Sequence, residues 1–258
     1  MSAFSPAGYN YFAKLKCAKG RALMLDYDGI ADLIGFRMDR PSAVSAAIRR
    51  IHERAGTRVV LLTSALQREL RIAPELEQLP CELWTANGRR RCRPDGSVLK
   101  YSVSETDLLI FEQFASLLEY EGLGKQIELQ NGSVLVRWNN LPLSEQREAR
   151  FATLRAFGHL GSRKAFRARE IPSGFEFVLC DWRKIDGVRT LMNEMGGACG
   201  IAYLGSGAED EEAFVSLLGQ GVTVLVRPGY TPTCAGVWIG TRSGFMRFLE
   251  AWVCELGT

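Results

Sequence analysis

Residues 21–30 read "RALMLDYDGI": a nearly continuous apolar run, then two carboxylates, Asp26 and Asp28, two places apart, then a glycine. A short run without alternation is the pattern of a strand buried on both faces of a parallel sheet. In such sheets ligands sit outside the carboxyl ends of the strands, which is where this run delivers its two acids. Extended geometry carried through Tyr27 would put both side chains on one side, with the chain turning at Gly29. Two carboxylates so close repel, and a shared hard cation such as Mg2+, which takes oxygen ligands, resolves the conflict. The other reading of the same residues is an Asp-x-Asp-Gly turn whose acids cap backbone amides.

Outward from this stretch, the spacing predicts a helix over 42–56 with Ser42 as N-cap, a strand in "TRVVLLTS" and a helix in "ALQRELRIAPEL". A further strand follows in "CELWTANG". Strand and helix alternating at these lengths mark a doubly wound, Rossmann-like α/β domain. From about residue 98 the rhythm changes. A long amphipathic helix, a hairpin about Asn131-Gly132, a second helix and two strands about "PSG" suggest an inserted α+β domain. The first rhythm then returns, with "KIDGVRTLMNEMG" and "EDEEAFVSLLGQG" as helices, "CGIAYLGSG" and "VTVLVRPG" as strands, and "TRSGFMRFLEAWVCEL" as closing helix. The expected division is a core in two parts, 1–97 and 183–258, with an α+β cap over 98–182.

The 258 residues are enough for a substantial core. A net charge of +3, spread along the chain apart from "GRRRCR" at 88–93, makes no nucleic-acid footprint. That basic run is expected to be a solvated loop. Seven cysteines without a C-x-x-C pair make neither a disulfide framework nor a zinc site. His52 and His159 fall on helical or loop surface and give no support to histidine-based catalysis. Trp138 and Trp182 are expected in a core or at an interface. No apolar run approaches the roughly 18 residues of a membrane span, and the first twenty residues lack a signal-peptide apolar region. A cytoplasmic protein without a membrane or nucleic-acid partner is expected; nothing in the residues sets an oligomeric state.

Four stretches in order resemble motifs of the haloacid dehalogenase superfamily. "LDYDGI" resembles its strand followed by D-x-D-G-T, and "VVLLTS" (59–64) its second motif. "KIDGVRTLM" (184–192) resembles the third and "YLGSGAEDEEAFVSL" (203–217) the fourth. With "NGRRRCRPDG" (87–96) and "GSVLVRWN" (132–139), the chain is most similar to the trehalose-6-phosphate phosphatase branch. The resemblance implies a core of this superfamily's type with a cap, and a Mg2+-dependent phosphatase acting on a phosphorylated sugar. By it Asp26 is the nucleophile and Asp28 the acid and base. Thr63, Ser64 and Lys184 hold the phosphate, Glu128 and Arg137 meet the substrate, and Asp26, Asp28 and Asp210 hold the metal.

The sequence departs from that pattern at Ser206 and Gly207, where the family has two aspartates, the first a metal ligand. It also departs at Ile30, at Ser64-Ala65, at Ile185, at Gln130 and at Arg137-Trp138-Asn139. Two expectations follow: a phosphatase of this kind with an altered metal site, or a degenerate relative that binds a phosphosugar or a protein partner without turnover.

Overall fold

The computed structural model describes residues 12–13, 15–34, 43–64, 79–101, 103–130, 133–160, 166–171, 173–179, 182–196 and 199–257. The expected N-cap Ser42, the helix over "ALQRELRIAPEL", the turn residues Asn131-Gly132 and Pro172 of "PSG" lie outside these. The chain divides into two compact units. One comprises Met1–Lys100 with Trp182–Thr258, and the other Tyr101–Asp181.

In the first unit the elements run β1 (Arg21–Asp26), α1 (Tyr27–Ile34), α2 (Ala43–Ala55), β2 (Thr57–Leu62), β3 (Glu82–Thr85), β4 (Arg90–Cys92) and β5 (Val98–Lys100). The second unit holds α3 (Glu105–Tyr120), β6 (Ile127–Gln130), β7 (Ser133–Arg137), α4 (Leu143–His159), β8 (Phe166–Ile171) and β9 (Gly174–Leu179). The first unit resumes with α5 (Lys184–Met195), β10 (Gly200–Gly205), α6 (Glu211–Ser216), β11 (Val222–Val226), β12 (Val237–Ile239) and α7 (Arg242–Leu256).

The large sheet has the order β12-β11-β10-β1-β2-β3-β4-β5 and is parallel from β12 to β3. β1 lies in the middle because its residues are apolar on both faces. Leu23 and Leu25 enter a core with Ile48 and Ile51 of α2 and Phe248 and Trp252 of α7. Ala22 and Met24 enter a second core with Val188 and Leu191 of α5 and Phe214 of α6. From β1 the chain first builds outward to β2 and β3, and later places β10, β11 and β12 on the other side. The crevice of a doubly wound sheet therefore opens at the carboxyl end of β1.

Two features depart from the sequence reading. β1 stops at Asp26, and Tyr27 already begins a helix, so Asp28 and Gly29 lie in the first turn of α1 rather than in a strand and turn. The basic run at 88–93 is no solvated loop. β4 and β5 form an antiparallel edge of the large sheet, and Arg91 is buried with its guanidinium 4.2 Å from the Trp84 ring centroid. Arg91 pairs with Glu194 of α5. Arg58 pairs with Glu82 at 2.6 Å and Glu194 at 2.7 Å, and the Trp84 indole donates to Glu82. These two acids and two bases balance, and against the opposing effect of burial the Arg58 pair and the Trp84 indole hold the buried Glu82 below the usual carboxylate range.

The second unit is a four-stranded antiparallel sheet, β6-β7-β9-β8, packed on α3 and α4. Ser104 caps α3 by accepting from the Asp107 amide. Trp138 is buried in this unit's core, 6.5 Å from Phe175 between ring centroids. His52 and His159 are both exposed near helix ends. Among the described residues no helix is long and apolar enough to cross a membrane.

Candidate functional site

The carboxyl ends of β1, β2 and β10 and the first residue of α5 deliver the side chains of one polar cluster. Asp26, the last residue of β1, is fully buried. Its Oδ2 is met by the Lys184 ammonium at 2.9 Å and accepts from the Ser206 hydroxyl at 3.0 Å. Its Oδ1 is buried and takes no hydrogen bond. Lys184, the first residue of α5 and 7% exposed, also lies 3.2 Å from Asp210 Oδ1. The ammonium thus bridges two carboxylates.

Asp210 ties down the loop after β10. Its Oδ2 accepts from the Ser206 amide at 2.8 Å and the Gly207 amide at 3.0 Å, and its Oδ1 accepts from the Tyr203 hydroxyl. The sequence alone does not single out Tyr203; its signal is a phenol inside an otherwise apolar strand, whose hydroxyl must find a partner when buried. Burial, reinforced by Asp210 and Asp26, pushes the Tyr203 hydroxyl well above its usual range, so it stays a donor.

Asp28 is held apart from this line. Its Oδ1 accepts from Thr63 Oγ1 at 2.6 Å, and its Oδ2 from the Ser64 amide at 2.8 Å and the Ser64 hydroxyl at 3.0 Å. The side chain reaches Thr63 because α1 begins at Tyr27. Gly29 lies in the first turn for a steric reason: a Cβ there would stand 1.6 Å from Ser206 Oγ and 2.8 Å from Asp26 Oδ2. Gly205 is similarly confined, with a Cβ falling 2.4 Å from Asp210 Cγ.

Asp26, Asp28 and Asp210 against Lys184 leave the cluster with two excess negative charges. Burial, then repulsion from Asp210, raises the Asp26 carboxyl from 3.8 to about 6, although Lys184 pulls the other way. Burial likewise opposes the charge of Lys184, yet Asp26 and Asp210 together hold its ammonium above the ordinary lysine range.

Of the three carboxylates expected to hold a metal, Asp26 alone keeps an oxygen without a hydrogen bond. The oxygens of Asp28 and Asp210 are committed to hydroxyls, amides and Lys184. Among the described residues no group of three or more His, Cys, Asp or Glu side chains is arranged to hold a metal ion. The bare Asp26 oxygen, the Ser206 hydroxyl and the excess negative charge do suit a hard cation that keeps most of its waters.

Glu128 and Arg137 belong to the second unit. They lie on adjacent strands β6 and β7 and pair with each other at 3.0 Å, each side chain 43% exposed.

No family model matches the chain, and no curated protein matches it by sequence. Solved structures do match its fold. Aspergillus fumigatus trehalose-6-phosphate phosphatase superposes with a TM-score of 0.62 at 15% identity, over 95% of this chain and 97% of that one. A haloacid dehalogenase-like hydrolase from Bacteroides thetaiotaomicron gives 0.60 at 16%, over 90% and 99%. The C-terminal domain of the Candida albicans trehalose synthase regulatory protein gives 0.55 at 16%, over 96% and 97%. The chain has the fold of haloacid dehalogenase-like hydrolases and of trehalose-6-phosphate phosphatases.

Proposed function

We propose that the chain hydrolyses a phosphomonoester of a sugar or sugar-like alcohol, with Asp26 as nucleophile. The observation that carries this reading is the buried Asp26 carboxylate, one oxygen held by Lys184 at 2.9 Å and the other uncommitted. Such an oxygen can attack phosphorus while the ammonium fixes the carboxyl plane. The P–O bond to the leaving alcohol breaks as an aspartyl-phosphate forms, and Asp28, which takes up a proton from solvent once the phosphate displaces its donors, passes it to the leaving oxygen. Water then attacks phosphorus, Asp28 takes its proton, and the bond to Asp26 breaks.

The three donors on Asp28, the Thr63 hydroxyl and the amide and hydroxyl of Ser64, form a ready anion cradle. An arriving phosphate dianion takes over these donors and releases Asp28 for proton transfer. Lys184 offsets charge on the phosphoryl oxygens. The Asp26 carboxylate and the Ser206 hydroxyl would hold Mg2+, which would supply positive charge to offset that of the carboxylate and the phosphate. Asp210 keeps Lys184 and the Ser206 loop in position rather than meeting the metal. The sugar class rests on the matched phosphatases.

The test is phosphate release from a panel of sugar phosphates, with and without Mg2+, and with Asp26→Asn as control. Release that requires both Mg2+ and Asp26 is expected from at least one compound. One observation favours a second reading: Ser206 stands where the resemblance places a metal-binding carboxylate. If no compound is hydrolysed while a phosphosugar still binds, and binding survives Asp26→Asn, the chain is a binding module.

The serine also yields a gain-of-function expectation. Ser206→Asp should tighten Mg2+ binding, by calorimetry, on the order of tenfold or more, because ligand charge tunes hard-cation sites steeply. Unchanged affinity would place the cation elsewhere.

A further inference from the structure

Ala86 and Asn87 take φ of +48° and +56°, and among the described residues they are the non-glycine residues with positive φ. Left-handed backbone is costly for an ordinary L-residue, with asparagine among the few that visit it readily. Two such residues in succession persist only where their surroundings over-determine them.

Those surroundings are the two sides of the phosphate cradle. The Asn87 amide donates to the Thr63 carbonyl at 2.8 Å. The Asn87 side-chain Nδ2 donates to the Trp182 carbonyl at 2.9 Å, two residues before Lys184. The Asn87 carbonyl lies against the first turn of α5, where a Cβ on Gly187 would come within 2.7 Å of it. Gly88 follows with φ +99°, its own space closed by Trp84 and the Gly187 Cα. One residue after β3 therefore grips the end of β2, which carries Thr63, and the entry to α5, which carries Lys184.

We propose that Asn87 is a positioning residue for the phosphoryl group, pinning the Thr63 hydroxyl and the Lys184 ammonium at a fixed separation. It touches no reacting atom. The inference rests on the phosphate-handling reading above and adds the element that sets its geometry. A turn that merely needs left-handed backbone would be served as well by glycine, whereas the pin needs the side-chain amide. Asn87→Gly keeps the backbone freedom and removes the amide. Asn87→Asp keeps size and tolerance of positive φ but turns a carboxylate toward the Trp182 carbonyl.

The experiment measures orthophosphate binding by calorimetry, thermal midpoint, and hydrogen exchange at residues 63–64 and 186–188, in the wild type and both variants. With the pin, both variants bind orthophosphate about tenfold more weakly, the scale of one lost hydrogen bond. Asn87→Gly keeps a midpoint at or above the wild-type value, and exchange quickens at those two segments while β1 is unaffected. Wild-type affinity and exchange in Asn87→Gly would overturn the proposal. If the wild type neither binds orthophosphate nor hydrolyses any ester, the phosphatase reading falls by itself. Exchange then decides the pin: quickening at both segments upholds it, and unchanged exchange overturns it.

Discussion

Replacing Lys184 with methionine is expected to destabilise the protein by about 3–5 kcal/mol at neutral pH, the usual cost of stripping one partner from a buried ion pair. The ammonium is the bridge between Asp26 and Asp210, at 2.9 and 3.2 Å. Methionine fills the volume but leaves two buried carboxylates facing each other, with Asp28 adding to the repulsion. The relief available is protonation of Asp26, so the loss should shrink as the pH falls below neutrality. Urea unfolding at pH 7.5 and pH 5 measures both effects. A loss under about 1 kcal/mol at the higher pH, the scale of an exposed pair, would show that the ammonium is not seated as described.

Asp26→Asn is expected to move activity and stability in opposite directions. An amide oxygen is no nucleophile, so turnover should fall by at least about a thousandfold, the scale of removing a nucleophile. Stability should rise. The folded-state carboxyl titrates near 6, against 3.8 for an unperturbed aspartate. Between those values the folded state binds more protons than the unfolded one, so this group makes stability fall as the pH rises through that window. Asparagine resembles the protonated form and removes that loss. The shift already includes the attraction of Lys184, so the net gain at pH 7 is on the order of 1–3 kcal/mol. It should be present in full above pH 6 and vanish as the pH drops towards 4. Thermal unfolding of both proteins from pH 4 to 8 measures it; a variant less stable than the parent at pH 7 would contradict the origin given for the Asp26 shift.

Much of this arrangement is legible in the residues because one physical rule produces it. A strand buried on both faces must be apolar throughout, so the run before Asp26, and those before Thr63 and Ser206, disclose both the sheet and the end of it at which polar groups gather. Lys184 is legible as the first residue of a helix whose apolar positions recur at helical spacing.

What escaped the reading depends on packing. Gly29 looks like a turn because the sequence does not show Ser206, 177 positions later, closing on it to leave no room for a Cβ. For the same reason the sequence puts Asp28 on a strand rather than in a helical turn facing Thr63. Asp210 is legible as an acid of the site; that its oxygens meet two amides, a phenol and an ammonium is not. The arginine run reads as solvated because the Trp84 face and Glu194, which make burial of Arg91 tolerable, come from β3 and α5. β4 and β5 are three residues each, Arg-Arg-Cys and Val-Leu-Lys, too short for any periodicity to register.

The most direct test is chemical trapping on Asp26. The protein is mixed with Mg2+ and a sugar phosphate that it hydrolyses or, failing one, with the acyl-phosphate analogue acetyl phosphate, then treated with borohydride, which reduces an aspartyl-phosphate to homoserine. Peptide mass spectrometry is expected to find homoserine at position 26, none at position 28, and none at either position when phosphate donor is omitted. Unmodified Asp26 in protein that is releasing orthophosphate, or homoserine at position 28 instead, would contradict the assignment of Asp26 as the attacking group.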